Sequence, residues 1–396
     1  MRRLIMLSME HPVSLCLKQA QRNMKFTVSS SDLSSRLQTI NKVQNSKNTL
    51  IILDCILFEL SNGTLRLTGS DSEITVHSTI EVSDIEGEGV IAIDAKRLIN
   101  AVKEIPEQPI IIEADTNTLA IKITYQNGEY SFMGSDGMDY PLPIPLDTYE
   151  NTVTINSQKM YGGITRCLYA AADDELRPQM NGVFFDMSNN VVTFVATDGH
   201  KMVRNRLYTV HPESSSSFIL PKKPALVLKN VLQRYDEDAT VSFDQTNAKF
   251  EVENYTLVCR LAEGRYPNYD SVIPNDNPFH VRVDRSALVS SLRRILVFAS
   301  QSCAVVKVHI EQGTLTISSQ DLDFSTSAEE RLLCEYDGTP MSIGFNGPFL
   351  MEVLNCISTE DVILELADPS RPGLVTPADM DEEENLIMLL MPMLIK

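Results

Sequence analysis

The feature that most constrains the fold of this chain is a pattern that occurs three times along its 396 residues. In each occurrence, three apolar residues spaced four and then three positions apart follow a residue able to cap a helix, and the copies begin about 127 residues apart. This spacing places the apolar residues on one face of an amphipathic helix. Ser157 and Asp284 are the predicted caps of the second and third copies. The triplets are Leu33, Leu37 and Ile40; Met160, Ile164 and Cys167; and Leu288, Leu292 and Ile295.

The remainder of each repeat follows in one order. After the helix, two short alternating segments joined by a turn predict a β-hairpin, and a further strand leads into a second helix. The predicted hairpins span residues 56–67, 183–195 and 306–317, and the predicted second helices span residues 95–105, 222–232 and 348–357. Further strands close each unit. The sequence therefore predicts three tandem α+β domains, each with two helices on one face of antiparallel sheets.

A Tyr-Pro pair ends the first two repeats, at Tyr140-Pro141 and Tyr266-Pro267, and the third repeat lacks it. An element found only where another repeat follows indicates a linker anchor, because proline fixes the direction in which the chain leaves. We expect the tyrosine ring to pack on the preceding sheet. Residues 1–23 are expected to be a disordered extension or the product of an upstream start codon. The expected domains are residues 24–148, 149–276 and 277–396.

The composition argues against several classes of protein. Seven scattered cysteines, none in a C-x-x-C pair, argue against a disulfide framework or a zinc site and favour a reducing cytoplasm. The six histidines show no metal-binding spacing. No apolar run has the length that spans a bilayer. The sequence also lacks a phosphate-binding loop, a nucleophile elbow and a recognisable carboxylate pair. We therefore expect a cytoplasmic protein with no metal or cofactor.

The one arrangement typical of catalysis is TDGH at residues 197–200, in which Asp198 and His200 could form a general-base pair or bind a metal. The same place in the other repeats reads TGSD at residues 68–71 and SSQD at residues 318–321. A small polar turn with an aspartate therefore recurs in all three repeats, and turn formation explains it. On this evidence we expect that the chain is not an enzyme.

The net charge of −19 is distributed unevenly. The six helical segments carry fourteen Lys or Arg residues and five Asp or Glu residues, so the rest of the chain carries −28. If pseudosymmetry brings like faces together, the helices form a basic surface that attracts phosphates, while the acidic remainder suppresses non-specific adhesion. The alternative is that helix surfaces often carry Lys and Arg without any ligand. The segments are residues 31–45, 94–104, 157–172, 221–235, 284–299 and 346–358.

A set of short motifs, taken together, resembles the bacterial DNA polymerase III beta subunit family, the sliding clamps. The motifs are MKFTV at residues 24–28, VATDGH at 195–200, GRYP at 264–267, IGFN at 343–346 and MPM at 391–393. The resemblance implies a homodimer joined head to tail, with six pseudo-equivalent domains around a hole lined by twelve helices. Such a ring encircles duplex DNA without reading its sequence and acts as a polymerase processivity factor.

The resemblance also implies a groove between the second and third domains that binds short linear peptides. The implied partners are the DNA polymerase III alpha subunit, the clamp loader, other DNA polymerases and repair proteins. Thioether and aliphatic side chains suit such a groove because they adapt to the Leu and Phe side chains of a partner. The implied groove residues are Met180, Arg177, Thr197, Gly199, His200, Lys201, Met202, Pro267, Val272, Asn346, Phe349, Met391, Pro392 and Met393.

The resemblance further implies contacts with double-stranded DNA and a dimer interface. The implied DNA-contacting residues are Lys47, Lys222 and Lys223. The implied interface places Tyr130 and Phe132 of the first domain against Val297 and Phe298 of the third, and ordinary packing of these four residues is an equal alternative. The alternative function is a three-repeat peptide-binding scaffold that does not encircle DNA.

The chain departs from the family pattern at a few positions. It ends in LIK at residues 394–396, Ser271 stands where a basic residue is frequent, and Asp173 and Asp174 replace polar residues. The first two departures predict an altered basic rim and leave the peptide preference open. The two aspartates argue against DNA contact at that point. The acidic run at residues 379–384 is expected to be a solvated loop.

Overall fold

The structure, a computed structural model, describes residues 23–44, 50–141, 149–174, 176–300, 304–321 and 323–395. Lys47, Lys396 and the expected extension up to residue 22 lie outside the described residues. The chain divides into two compact units. Among the described residues, those up to 145 group with residues 254–258, and those from 146 to 253 group with those from 259 to 396. The first repeat therefore lies in one unit together with residues 254–258 of the second repeat, and the rest of the second repeat lies with the third in the other unit.

The described part of the chain contains six α-helices, two in each repeat, as predicted. They are α1 Ser30–Ile40, α2 Ala95–Val102, α3 Ser157–Leu168, α4 Lys222–Leu232, α5 Arg285–Leu296 and α6 Gly347–Asn355. The prediction of Ser157 as a cap is wrong: Asn156 caps α3, because its side chain accepts hydrogen bonds from the backbone N–H groups of Gln158 and Lys159. Asp284 caps α5 as predicted. None of the described helices is long and apolar enough to cross a membrane.

Ten strands lie between residues 23 and 141 and form two antiparallel sheets. They are β1 Asn23–Ser29, β2 Cys55–Ser61, β3 Thr64–Ser70, β4 Ile74–Glu81, β5 Ser83–Glu86, β6 Gly89–Asp94, β7 Pro109–Asp115, β8 Ala120–Tyr125, β9 Gly128–Met133 and β10 Ser135–Asp136. One sheet has the order β5-β1-β7-β8-β9, and the other contains β10, β6, β2, β3 and β4 in that order. The predicted first hairpin is β2–β3.

Sixteen strands lie between residues 149 and 395. They are β11 Asn151–Asn156, β12 Gly182–Met187, β13 Val192–Thr197, β14 Lys201–Leu207, β15 Ser216–Pro221, β16 Asp238–Phe243, β17 Asn247–Val252, β18 Tyr255–Arg260, β19 Phe279–Asp284, β20 Val305–Glu311, β21 Thr314–Asp321, β22 Thr326–Leu333, β23 Met341–Asn346, β24 Asp361–Leu366, β25 Gly373–Pro377 and β26 Glu384–Leu390. The predicted second and third hairpins are β12–β13 and β20–β21.

One sheet of the second unit joins the second and third repeats and positions the candidate site. Its strand order is β15-β12-β13-β14-β26-β25-β24-β19. At its centre β14 pairs antiparallel with β26, from Lys201 opposite Leu390 to Leu207 opposite Glu384. The start of β14 therefore lies beside the end of β26, which leads into residues 391–393. A further sheet of the third repeat has the order β22-β21-β20-β23.

The two Tyr-Pro tyrosines pack on the preceding sheets, as predicted. Tyr140 is 4% exposed, and its Oη accepts a hydrogen bond from the Ser70 N–H at 3.0 Å and donates to the Cys55 carbonyl at 3.3 Å. The Tyr266 ring stacks on the Phe184 ring with centroids 4.4 Å apart. Each tyrosine therefore fixes the segment at which its repeat ends.

The expectation of a solvated loop for residues 379–384 is wrong in part. The Glu384 side chain is only 14% exposed, and its carboxylate pairs with Arg166 at 2.5 Å and with Lys159 at 3.4 Å. The loop connects β25 to β26, so the pairing of β26 with β14 carries it to the α3 side of the second repeat. This contact joins residues far apart in the sequence, and composition alone could not predict it.

Candidate functional site

A cavity of about 170 Å³ opens between the second and third repeats, within the second compact unit. It is lined by Met180, Thr197, Gly199, His200, Lys201, Met202, Pro267, Asn268, Tyr269, Val272, Leu389 and Met391. Nine of these twelve residues belong to the predicted groove set. The fold thus brings together segments near residues 180, 200, 270 and 390, and their role in binding stays a prediction.

The turn between β13 and β14 builds one wall of the cavity. Thr197 Oγ1 accepts from the Gly199 N–H at 3.1 Å and donates to the Lys201 carbonyl at 2.8 Å. Asp198 Oδ1 accepts from the N–H groups of His200 and Lys201 at 2.8 and 2.9 Å. Gly199 has a φ of +90°, a conformation that residues with a side chain rarely adopt. The turn satisfies its own donors and leaves the His200 side chain 73% exposed.

The same turn recurs in the other repeats. Asp71 Oδ1 accepts from the backbone N–H groups two and three residues ahead, at 3.0 and 2.8 Å. Asp321 Oδ1 does the same at 2.9 and 3.3 Å. The interpretation of Asp198 as a turn-forming residue is therefore confirmed. Its carboxylate lies 3.9 Å from His200 Nδ1, too far for the hydrogen bond that a general-base pair requires. Among the described residues, no group of three His, Cys, Asp or Glu side chains could hold a metal ion.

Tyr269, which lines the cavity, belongs to a cluster that contains two further aromatic rings. The Tyr266 ring lies parallel to the Phe184 ring, and the Tyr269 ring approaches Phe184 edge-on at 6.2 Å. Tyr269 Oη donates to Asp186 Oδ2 at 2.6 Å. Burial raises the pKa of both phenols well above the usual value, and for Tyr269 the hydrogen bond to Asp186 adds to the effect. Both phenols therefore stay uncharged.

A buried cation links β14 to α6 beside the cavity. The Lys201 side chain is 8% exposed, and its Nζ lies 2.7 Å from Glu352 Oε2 and 3.7 Å from Asp198 Oδ2. The Nζ also lies 4.0 Å from the centroid of the Phe349 ring. A buried ammonium group must be paired, and an aromatic face adds attraction. Lys201 therefore holds Phe349 of α6 against the second repeat.

The carboxyl-terminal segment closes the site from the third repeat. The Met391 N–H donates to the His200 carbonyl at 2.9 Å, and the Met393 N–H donates to the Gly344 carbonyl at 2.8 Å. A Cβ atom at Gly344 would lie 2.6 Å from the Met393 carbonyl oxygen, so only glycine permits this approach. Asn346 caps α6, accepting from the Phe349 N–H at 3.0 Å. These contacts leave Met391 at the rim, 43% exposed.

Not every predicted groove residue lines the cavity. Those that lie outside its lining are Arg177, Asn346, Phe349, Pro392 and Met393. Arg177 Nε donates to Asp174 Oδ2 at 2.8 Å, so a neighbouring carboxylate neutralises its charge. The prediction missed Asn268, Tyr269 and Leu389. Leu389 could have been found, because it lies two residues before Met391 and so on the same face of an extended segment.

The predicted dimer-interface residues lie at the surface of their units. Tyr130 and Phe132 are half-buried on β9, which is the last strand of its sheet. Val297 and Phe298 follow the end of α5 and are 77% and 42% exposed. Their place in an interface stays a prediction.

Two of the predicted DNA-contacting residues are described. Lys222 and Lys223 are the first residues of α4, which has Pro221 at its N-cap and therefore no side-chain cap. The third, Lys47, lies outside the described residues. The contact of all three with DNA stays a prediction.

Models of the three domains of the DNA polymerase III beta subunit match this chain in order. The N-terminal domain matches residues 24–145, the central domain residues 154–268 and the C-terminal domain residues 270–393. The chain belongs to this family. The predicted fold of three tandem clamp domains is thereby confirmed.

Individual relatives give the same result. The beta sliding clamp of Pseudomonas aeruginosa is 26% identical over 367 residues, which cover 92% of this chain and 99% of that protein. The beta sliding clamp of Salmonella typhimurium is 26% identical over 348 residues, covering 87% of this chain and 93% of that protein. A solved structure of the Pseudomonas aeruginosa sliding clamp bound to griselimycin is 25% identical, with a TM-score of 0.88, and covers 94% of this chain and 100% of that chain.

Proposed function

We propose that this chain is a sliding clamp, in which two copies joined head to tail enclose duplex DNA and hold a DNA polymerase on it. The observation that carries the proposal is the threefold repeat of one α+β domain in a chain of the beta subunit family. A closed ring is retained by topology, so it needs no tight phosphate contact and no base readout. A chain with a net charge of −19 can therefore act on DNA in the cytoplasm.

Two sheet edges support closure of the ring by a second copy. β9 ends the sheet β5-β1-β7-β8-β9, and β22 ends the sheet β22-β21-β20-β23. An edge strand presents backbone N–H and C=O groups that pair with another chain. Apolar side chains are exposed at both edges, since Met133 on β9 is 61% exposed and Leu333 on β22 is 88% exposed. We assign the interface to β9 of one copy and β22 of the next.

The basic start of α4 supports a weak, sequence-independent contact with DNA. Lys222 and Lys223 occupy its first turn, where the helix dipole disfavours cations. A phosphate placed there would be attracted by both the lysines and the helix N-terminus, which offsets this cost. Such a contact can be exchanged between neighbouring phosphates as the ring moves.

The cavity between the second and third repeats supports the recruitment of partners. Its apolar lining by Met180, Met202, Leu389 and Met391 suits a short peptide with aliphatic or aromatic anchors. We propose that the polymerase III alpha subunit, the clamp loader, other DNA polymerases and repair proteins share this site. The chain then acts by raising local concentration, and no chemistry by its own residues is required.

Primer extension on a circular single-stranded template, with the polymerase and loader of the same organism, tests this function. Adding the chain should lengthen the products, and the double variant Met393→Ala/His200→Ala should lose the effect while remaining dimeric. The matched control is Met138→Ala/His211→Ala, which removes the same residue types at exposed positions outside the cavity. Equal product lengths with and without the chain would contradict the proposed function.

A further inference from the structure

Both cations of α3 are paired with one acidic segment. We call residues 379–384, which run from the connection after β25 to the first residue of β26, the acidic hairpin. The Lys159 Nζ lies 3.0 Å from Glu383 Oε2 and 3.4 Å from Glu384 Oε1. Arg166 Nη1 lies 2.5 Å from Glu384 Oε2. Glu384 therefore bridges the two cations, so α3 carries no Lys or Arg side chain without an acidic partner.

The backbone fixes the acidic hairpin in this position. Glu384 is the first residue of β26 and pairs with Leu207 of β14. The Tyr208 N–H donates to the Glu383 carbonyl at 2.9 Å, and the Glu384 N–H donates to the Asp381 carbonyl at 3.1 Å. The carboxylates are thus held beside α3 by strand pairing and a tight turn. The fold itself therefore places these carboxylates in contact with Lys159 and Arg166.

The acidic hairpin carries more charge than the two pairs need. Five of its six residues are acidic. Asp381 is a third partner of Lys159, with its Oδ2 3.7 Å from the Lys159 Nζ. The Lys159 and Arg166 side chains are 28% and 26% exposed, so water screens these pairs less than fully exposed ones. A DNA phosphate that approached α3 would compete with carboxylates already in place.

We propose that the acidic hairpin acts as an internal substitute for DNA phosphates, which occupies the cations of α3 and limits the grip of the ring on DNA. This inference rests on the proposed function, in which the helices face the duplex. The number of cations that neutralise phosphates sets both affinity and its salt dependence. A clamp whose cations are partly occupied by its own carboxylates moves along DNA with fewer contacts to break.

The size of the effect follows from the number of cations released. Lys159 has two exposed partners, Asp381 and Glu383. Replacing both frees the lysine in part and leaves its less exposed partner Glu384 in place. One added phosphate contact steepens the logarithmic dependence of affinity on salt by about 0.9. Between 50 and 200 mM salt, the affinity of the variant should fall about 3.5-fold more than that of the parent.

The test compares three variants by fluorescence anisotropy on a short linear duplex over that salt range. Asp381→Asn/Glu383→Gln should steepen the slope and bind more tightly at low salt. Asp379→Asn/Glu382→Gln is the matched control, because it removes the same charge from the same hairpin, and neither residue pairs with α3 among the described contacts. Adding Lys159→Gln to the first variant should restore the parent slope. Thermal unfolding checks that all of them fold.

The outcomes separate this inference from the proposed function. A steeper slope only in Asp381→Asn/Glu383→Gln, reversed by Lys159→Gln, supports the internal phosphate substitute. A parent that binds the duplex while all variants share one slope overturns this inference and leaves the proposed function standing. An equal change in the matched control also overturns it, because net charge alone then accounts for the effect. Absence of binding in every protein at low salt also overturns this inference, because freeing Lys159 then adds no contact with DNA, and it leaves the proposed function standing because a ring held by topology leaves a linear duplex.

Discussion

His77 should make the stability of the first repeat depend on pH. Its side chain is buried on β4, 7% exposed, with Nδ1 2.7 Å from Thr68 Oγ1. Burial, with a smaller contribution from the charge of Arg66, lowers the pKa of His77 from 6.5 to about 4. The folded chain therefore binds a proton at His77 less readily than the unfolded chain does.

The sign and size of the effect follow from proton linkage. The pKa of His77 is lower in the folded chain than in the unfolded chain. The neutral, buried His77 therefore contributes fully to the free energy of unfolding above pH 6.5, and this contribution is lost as the pH falls towards 4. The full difference corresponds to about 3 kcal/mol of unfolding free energy. Between pH 7.5 and 5.5, the loss is about 1.3 kcal/mol, a range that lies above the isoelectric point of about 4.8.

The variant His77→Gln isolates this contribution, because its amide can still bond to Thr68 and cannot take up a proton. Urea unfolding of parent and variant is followed by hydrogen-exchange mass spectrometry on peptides from β3 and β4, so that this repeat is measured alone. The stability gap between the two proteins should narrow by about 1.3 kcal/mol from pH 7.5 to 5.5. A gap that stays constant over this range would refute the argument from burial.

Three further substitutions test the packing, the site and the interface. Tyr266→Ala removes the ring stacked on Phe184 and should destabilise the second unit by about 3–5 kcal/mol, seen by calorimetry; a melting temperature equal to that of the parent would contradict this. Gly344→Ala places a Cβ against the Met393 carbonyl and should displace the carboxyl-terminal segment at a cost of about 1–3 kcal/mol, weakening peptide binding in calorimetric titration. Unchanged peptide affinity would show that peptide binding does not need the close contact between Gly344 and the Met393 carbonyl. Leu333→Asp puts a charge on the exposed edge of β22 and should yield monomers by light scattering; a persistent dimer would exclude β22 from the interface.

Local patterns accounted for most of the fold. The helices and hairpins were predictable because each rests on residues a few positions apart, such as the apolar triplet Met160, Ile164 and Cys167, all buried in α3. The packing of Tyr140 and Tyr266 was predictable because an anchor is needed only where another repeat follows. The turn at Asp198 was predictable because the same residue type recurs in each repeat.

Contacts between distant segments were not predictable from these patterns. Lys201 and Glu352 are 151 residues apart, and Arg166 and Glu384 are 218 residues apart. Both contacts depend on the pairing of β14 with β26, and alternation along a strand shows which face is buried without naming its partner. The count of fourteen helical cations therefore overstated the free positive surface, since Lys159 and Arg166 are paired within the chain.

The most direct test of the ring is retention on DNA whose topology is changed. The chain is loaded onto nicked circular DNA by its loader, separated from free protein by gel filtration at moderate salt, and the DNA is then cut once with a restriction enzyme. A ring that encircles the duplex stays with the circle and leaves once the DNA has free ends. Retention that is the same before and after the cut would contradict the account, because the chain would then be bound by contacts and not by topology.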